Sequence, residues 1–166
     1  MKLSVIIPAY NEIESIGKLI RLVKDVELEK EIIIVDDGSK DGTREFLNKI
    51  NDKEIKVVFH KRNHGKGMAI RTGIKHVTGE IVIIQDADLE YDPIDYYKLV
   101  KPIIENNVKV VYGSRLLNPN FQAGYSLNLF ATKLLTRLSN ILYNANLTDE
   151  PTCYKVFKTD VIKSIN

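Results

Sequence analysis

The strongest constraint on this chain is an alternation. Short runs rich in Val, Ile and Leu, at residues 3–7, 31–35, 55–59, 80–84 and 108–112, take turns with longer segments of helical period. Strand-length apolar runs separated by amphipathic helices are joined as parallel strands through crossover helices. Several runs are almost wholly apolar, as expected of a sheet covered on both faces. The pattern predicts an α/β fold with a mostly parallel central sheet flanked by helices. Ile13, Ile16, Leu19, Ile20 and Val23 mark the first helix, with Asn11 as its N-cap and Glu14 three residues on in a capping-box position. Residues 41–50, 66–77 and 93–105 are the next helices, the last opened by Pro93, where a missing N–H does no harm.

After residue 112 the alternation stops. Residues 121–143 carry an apolar stripe of Leu127, Ala131, Leu134, Leu135, Leu138, Ile141 and Leu142, which suits either packing on the sheet or contact with a membrane surface. A short apolar run at 153–157 and a helical piece from Thr159 close the chain. At 166 residues with 44% hydrophobic content, the whole chain, 1–166, reads as one domain with one sizeable core.

A formal net charge of +2 is too small to attract nucleic acid through charge alone. Cys153 is the only cysteine, which excludes an internal disulfide and a cysteine metal cluster and fits a packed thiol in a reducing, cytoplasmic compartment. Pro8, Asn11 and Glu12 interrupt the N-terminal apolar run before an export signal could be complete. No run approaches the roughly 18 apolar residues of a spanning helix, so any membrane contact is expected to be peripheral.

In an open parallel sheet, ligands bind outside the carboxyl ends of the strands. The residues at those ends are Pro8-Ala9-Tyr10-Asn11-Glu12 after the first run, Asp36-Asp37-Gly38-Ser39 after the second and Gln85-Asp86-Ala87-Asp88-Leu89-Glu90 after the fourth. Carboxylates from three loops would then share one edge, and each like-charge pair at about 4 Å costs roughly 4 kcal/mol at an effective dielectric near 20. A divalent cation with oxygen ligands, magnesium or manganese, would relieve that repulsion and could bridge to a diphosphate. Asp86, Asp88 and Glu90 alternate, so an extended stretch would put all of them on one side. The plainer alternative is solvated acids at a strand end.

Asp37 is placed to accept from a ribose or base, although the surrounding Asp36–Thr43 stretch also suits a turn and helix cap, the preferred role for Asp41 and Gly42. Tyr10 could stack on a base and Glu12 accept from its edge, or each could pack or sit in a first helical turn. Asn63-His64-Gly65-Lys66-Gly67 opens a helix where backbone amides and Lys66 could meet phosphate or base. It lacks the Walker lysine followed by Ser or Thr, and Ile70 stands where a dinucleotide fingerprint needs glycine. His60, His64 and His76 show no metal spacing and read as exposed.

Taken in order, Val5-Ile6-Ile7-Pro8-Ala9-Tyr10-Asn11-Glu12, Val35-Asp36-Asp37-Gly38-Ser39, Asn63-His64-Gly65-Lys66-Gly67, Asp86-Ala87-Asp88-Leu89 and Gly113-Ser114-Arg115 resemble glycosyltransferase family two. Within it, they are similar to the dolichyl-phosphate mannosyltransferase and polyprenyl-phosphate glycosyltransferase group. The resemblance covers essentially the whole chain and implies the Rossmann-like GT-A fold. Residues 1–115 would bind the nucleotide sugar and 116–166 face the acceptor. Family members usually run longer, which leaves a C-terminally shortened chain open.

By the same resemblance, Pro8, Ala9, Tyr10 and Glu12 with Asp37 and Lys66 hold the nucleoside diphosphate sugar. Asp86, Ala87 and Asp88, with Glu90 where relatives often carry glutamine, hold the Mg2+ or Mn2+ and the diphosphate. Asp88 and Arg115 would serve the departing diphosphate, and Asp149 is an acid near the acceptor. The implied reaction is inverting transfer of a hexose from GDP-mannose or a UDP-sugar to a polyprenyl phosphate at the cytoplasmic membrane face. Two alternatives stand beside it: transfer to a sugar or protein hydroxyl with Asp149 as base, and a nucleotide-sugar-binding module without catalysis.

Overall fold

The computed structural model describes residues 1–117 and 126–165. The strands are β1 (Leu3–Ala9), β2 (Lys30–Asp36), β3 (Ile55–Phe59), β4 (Ile81–Ile84), β5 (Val110–Tyr112) and β6 (Lys155–Lys158). The helices are α1 (Ile16–Asp25), α2 (Thr43–Leu47), α3 (Lys66–Ile74), α4 (Tyr96–Asn106), α5 (Ser126–Tyr143) and α6 (Thr159–Ser164). The sheet order is β3-β2-β1-β4-β6-β5. β1 pairs in parallel with β2 and β4, and β2 with β3, so the predicted mostly parallel α/β sheet is present.

The run at 153–157 contributes a strand that periodicity did not assign. β6 enters antiparallel between β4 and β5, with Val156 opposite both Ile83 and Val111. Its side chains alternate, with Val156 in the core on one face and Phe157 packed against the core on the other, and only Val156 is fully buried.

The sheet is covered on both faces because successive β1 residues point opposite ways. Leu3, Val5, Ile7 and Ala9 join Leu19, Val23, Tyr96 and Ile103 of α1 and α4 in one core. Ile6 joins Ile33, Val35, Ala69, Val82 and Ile162 on the α3 and α6 side. Gly73 permits that second contact: a Cβ there would lie 2.6 Å from Ile6 Cγ2, so any larger residue would push α3 off β1.

The start of α1 differs from the expectation. Asn11 is not its N-cap but a residue with φ of +57°, and the helix begins at Ile16 after Ser15. The Asn11 amide donates to Ser39 Oγ at 2.9 Å, and its Oδ1 accepts from the Lys40 amide at 2.9 Å. The residue thus ties the β1 loop to the β2 loop, and Ile13, left outside the helix, is exposed. Asp41 does act as expected of a cap, accepting from the Thr43 amide at 3.0 Å and its hydroxyl at 2.7 Å.

Residues 121–125 of the apolar segment, and the Leu127 side chain, lie outside the described residues. Along the rest of α5 the leucines do not pack on the sheet. Leu134, Leu135, Leu138, Ile141 and Leu142 are exposed, and Thr136 is the buried residue. A polar seam attaches the helix instead: Thr136 Oγ1 accepts from the Glu150 amide at 3.0 Å, and Asn140 exchanges bonds with the Leu147 amide and carbonyl. The 144–150 segment has backbone groups to satisfy, and these two side chains satisfy them.

At the amino edge of the sheet, Glu31 fastens β2 to the β1 and β4 ends. Its carboxylate accepts from Ser4 Oγ at 2.5 Å, the Thr78 amide at 2.6 Å and Lys2 Nζ at 3.0 Å. Burial alone would raise its pKa, but the bonds from Ser4 and Thr78 prevail and bring it from 4.5 to about 2. A depressed carboxylate contributes stability that is complete above its unfolded value and is lost as pH falls from about 4.5 through about 2. Glu31→Gln is expected to cost about 2 kcal/mol in urea unfolding at pH 7, and the gap from the wild type should narrow at pH 3. An equal gap at both pH values would contradict this role.

Candidate active site

The strand order reverses direction at β1, whose neighbours β2 and β4 follow by opposite routes, and a cleft opens at their carboxyl ends. It encloses about 300 Å³ and is lined by Pro8, Ala9, Tyr10, Glu12, Asp37, Asn63, Lys66, Ala69, Asp86, Ala87 and Asp88. Residues expected at the nucleotide therefore converge from the β1, β2 and β4 loops and the start of α3. Glu90, Arg115 and Asp149 are not in that lining.

Tyr10 stands at the rim with 44% of its surface exposed, available to a planar ligand. The Glu12 carboxylate accepts from Ser15 Oγ at 2.6 Å. Asp37 is buried and its oxygens are engaged: they accept from His60 Nδ1 at 2.6 Å, the His64 amide at 3.0 Å and the Gly65 amide at 2.7 Å. Burial opposes its charge, but these bonds together hold its carboxyl below the usual range. Its first effect is to fix the glycine-rich loop against β2. Gly38 makes this approach possible, with φ of +81° and a notional Cβ 2.6 Å from the Arg62 carbonyl carbon.

His60 corrects an expectation. It is half-buried rather than exposed, bonded through Nδ1 to Asp37 and through Nε2 to Thr72 Oγ1 at 2.9 Å. His76 is likewise partly buried, and burial, then Lys56 and Lys75, lowers its pKa. His64 is exposed as expected.

The acidic loop after β4 is not extended. Leu89 adopts φ of +62° and the chain turns there, so the alternation that was to align Asp86, Asp88 and Glu90 is broken. Asp88 Oδ1 accepts from the Glu90 amide at 3.0 Å and Glu90 itself lies outside the cleft lining. Among the described residues, no three His, Cys, Asp or Glu side chains gather as a metal-binding group. Asp86 and Asp88 both line the cleft. Two carboxylates beside open space fit magnesium or manganese, which commonly keep waters and take further ligands from substrate phosphates.

The expected repulsion is relieved by separate partners. Asp36 is fully buried, 3.3 Å from Arg44 Nε in an ion pair without hydrogen-bond alignment. Asp37 has His60 and two amides, and Asp86 has Lys66 Nζ at 2.5 Å. Burial disfavours the Lys66 charge, but the Asp86 carboxylate prevails and raises its pKa.

Sequence reasoning missed several contributors. Asn63 and Ala69 line the cleft; Asn63 lay within the glycine-rich segment, and Ala69 follows from α3 presenting its first turn to the site. Gln85, wholly buried, accepts from the Tyr96 and Tyr154 hydroxyls at 2.8 Å each and donates to the Asp86 carbonyl at 3.0 Å. Cys153 is a packed thiol beside Asp86. Burial first, and then the Asp86 carboxylate, push its pKa up to about 12, so it stays protonated.

Arg115 and Asp149 find each other. Asp149 is buried, and its oxygens accept from Arg115 Nε at 2.8 Å, a terminal guanidinium nitrogen at 3.0 Å and the Arg115 amide at 3.0 Å. This bidentate pair raises the Arg115 pKa further. A carboxylate so occupied is poorly placed to take a proton from an acceptor.

The chain is 40% identical over 106 residues to undecaprenyl-phosphate 4-deoxy-4-formamido-L-arabinose transferase from Proteus mirabilis, a match covering 60% of this chain and 32% of that protein. Its fold is similar to glucosyl-3-phosphoglycerate synthase from Mycobacterium tuberculosis in complex with Mn2+, UDP and glucosyl-3-phosphoglycerate, with TM-score 0.75 and 22% identity over 98% of this chain and 58% of that one. It is also similar to the mannosyltransferase PcManGT from Pyrobaculum calidifontis in complex with GDP-Man and Mn2+, with TM-score 0.69 and 21% identity over 99% of this chain and 46% of that one. The chain thus spans about a third of that curated relative and about half of those structures. The fold is GT-A. With the family model for glycosyl transferase family 2 matching residues 4–165, from β1 through α6, the chain belongs to that family.

Proposed function

We propose that the cleft binds a nucleoside diphosphate sugar together with Mg2+ or Mn2+, and that the protein transfers the hexose, with inversion, to a polyprenyl phosphate. The observation that carries this is the convergence of Tyr10, Glu12, Asp37, Lys66, Asp86 and Asp88 on one cleft at the strand ends. The named substrate of the Proteus relative supports the lipid phosphate, and the Mn2+ and nucleotides named with the two structures support the donor.

In this reading Tyr10 stacks on the base while Pro8, Ala9, Glu12 and Asn63 shape its pocket. Asp37 acts at one remove by holding the loop that presents Lys66. The amino end of α3 directs its free amides and Lys66 toward the diphosphate. Asp86 and Asp88 would hold the cation, which when bound neutralises charge on the leaving diphosphate. An acceptor phosphate arrives already anionic and needs positioning more than a base. The engagement of both Asp149 oxygens by Arg115 favours such an acceptor over a hydroxyl. Arg115 and Asp149 are accordingly assigned to holding the acceptor-side segment beside β5.

No helix among the described residues is long and apolar enough to cross a membrane. On α5, exposed Phe130, Leu138 and Ile141 lie on the same helix as exposed Lys133 and Arg137, with no acidic residue between Ser126 and Tyr143, a composition suited to an anionic lipid surface. Incubation with labelled GDP-mannose or UDP-sugars and undecaprenyl phosphate in anionic vesicles is expected to move label into the organic phase. Label transferred only to water-soluble hydroxyl acceptors would contradict the lipid assignment.

A further inference from the structure

Among the described cleft carboxylates, Asp86 is the one held by an ammonium. Lys66 Nζ lies 2.5 Å from its Oδ1 and 2.7 Å from its Oδ2, bridging α3 to the end of β4. Asp88, two residues further, has the Glu90 amide as its partner. A divalent cation using both aspartates would meet the Lys66 charge at contact distance, where two positive charges repel strongly. Lys66 is free to leave: its side chain is 54% exposed, at the first residue of α3. Its flexible stem can swing without moving the helix. The donor diphosphate would offer it a new anionic partner in the same cleft.

We infer that Lys66 is a placeholder cation, which occupies Asp86 while the cleft is without donor and passes to the donor diphosphate as the divalent cation takes Asp86. The inference rests on the reading of the site as a metal-assisted nucleoside diphosphate cleft. Its consequence is coupling: cation and nucleoside diphosphate each strengthen the binding of the other, by the same factor. Lys66 is then a residue that enforces joint loading, beyond its contribution as one more phosphate contact.

The test is Mn2+ binding by electron paramagnetic resonance, with and without UDP or GDP, on the full chain and on Lys66→Met and Lys66→Arg. Lys66→Met is expected to bind Mn2+ without nucleotide about tenfold more tightly than the wild type, since the competing charge is gone. The tightening of Mn2+ binding by nucleotide should be smaller in Lys66→Met than in the wild type, and Lys66→Arg should behave like the wild type. A residue that only supports the fold, or only contacts phosphate, would not raise nucleotide-free Mn2+ affinity. Unchanged or weaker Mn2+ binding by Lys66→Met, alongside Mn2+-dependent nucleotide binding by the wild type, overturns this inference alone. Absence of Mn2+ binding by all of the proteins, with and without nucleotide, overturns the reading of the site and this inference with it.

Discussion

Asp88→Ala is expected to lower sugar transfer by roughly 10²–10³-fold, the scale of losing one preorganised electrostatic contact to a charged transition state. Its folded-state role is small: the side chain is exposed and accepts one amide, from Glu90. Its unfolding free energy should therefore stay within about 0.5 kcal/mol of the wild type. The combination of large kinetic and small thermodynamic effect is the signature of a cation ligand on a surface turn. Transfer assays at saturating Mn2+, paired with thermal melts, measure both, and a variant with near-normal turnover would remove Asp88 from the metal site. Asp86→Ala should behave differently, because it also releases Lys66 from its partner.

Arg115→Ala should have the largest effect on stability. Asp149 has no exposed side-chain surface, and Arg115 supplies its counter-charge along with two side-chain hydrogen bonds. Removing one partner of a buried pair typically costs about 3–5 kcal/mol, which for a chain of this size lowers the melting temperature by about 10 °C. Asp149→Asn should likewise lower it, and the double change Arg115→Met with Asp149→Leu should recover part of the loss. A general-base role makes the opposite forecast: Asp149→Asn would lose about two to four orders of magnitude in turnover with an unchanged melting temperature. Melting and turnover of the same variants therefore separate a holding pair from a catalytic base.

The sheet and most of the site were legible because their signals are local. A run such as Ile32 to Val35 has few ways to be buried other than as an inner strand, and the cleft residues follow directly from the strand ends. What escaped depends on partners distant in sequence. β6 is a four-residue strand whose direction is set by the gap between β4 and β5. Leu89 gives no sign of a left-handed conformation, which leucine rarely adopts, so the turn that separates Glu90 from the aspartates was hidden. Asn11 looked like a cap because its alternative, bridging to Ser39 and Lys40, requires the neighbouring loop to be in place. The α5 periodicity revealed an apolar face but not that the helix would attach through Thr136 and Asn140. Charge counting suggested crowded carboxylates; the assignment of Arg44, His60 and Lys66 to separate acids comes only from the folded chain.

The most direct measurement is calorimetric titration of the chain with UDP, GDP and their sugar conjugates, first in Mn2+ and then after chelation. A single site for one nucleotide series, weakened at least about tenfold by chelation, is the predicted result. Equal affinity in the chelator would contradict a cleft in which Asp86 and Asp88 join the diphosphate through a cation.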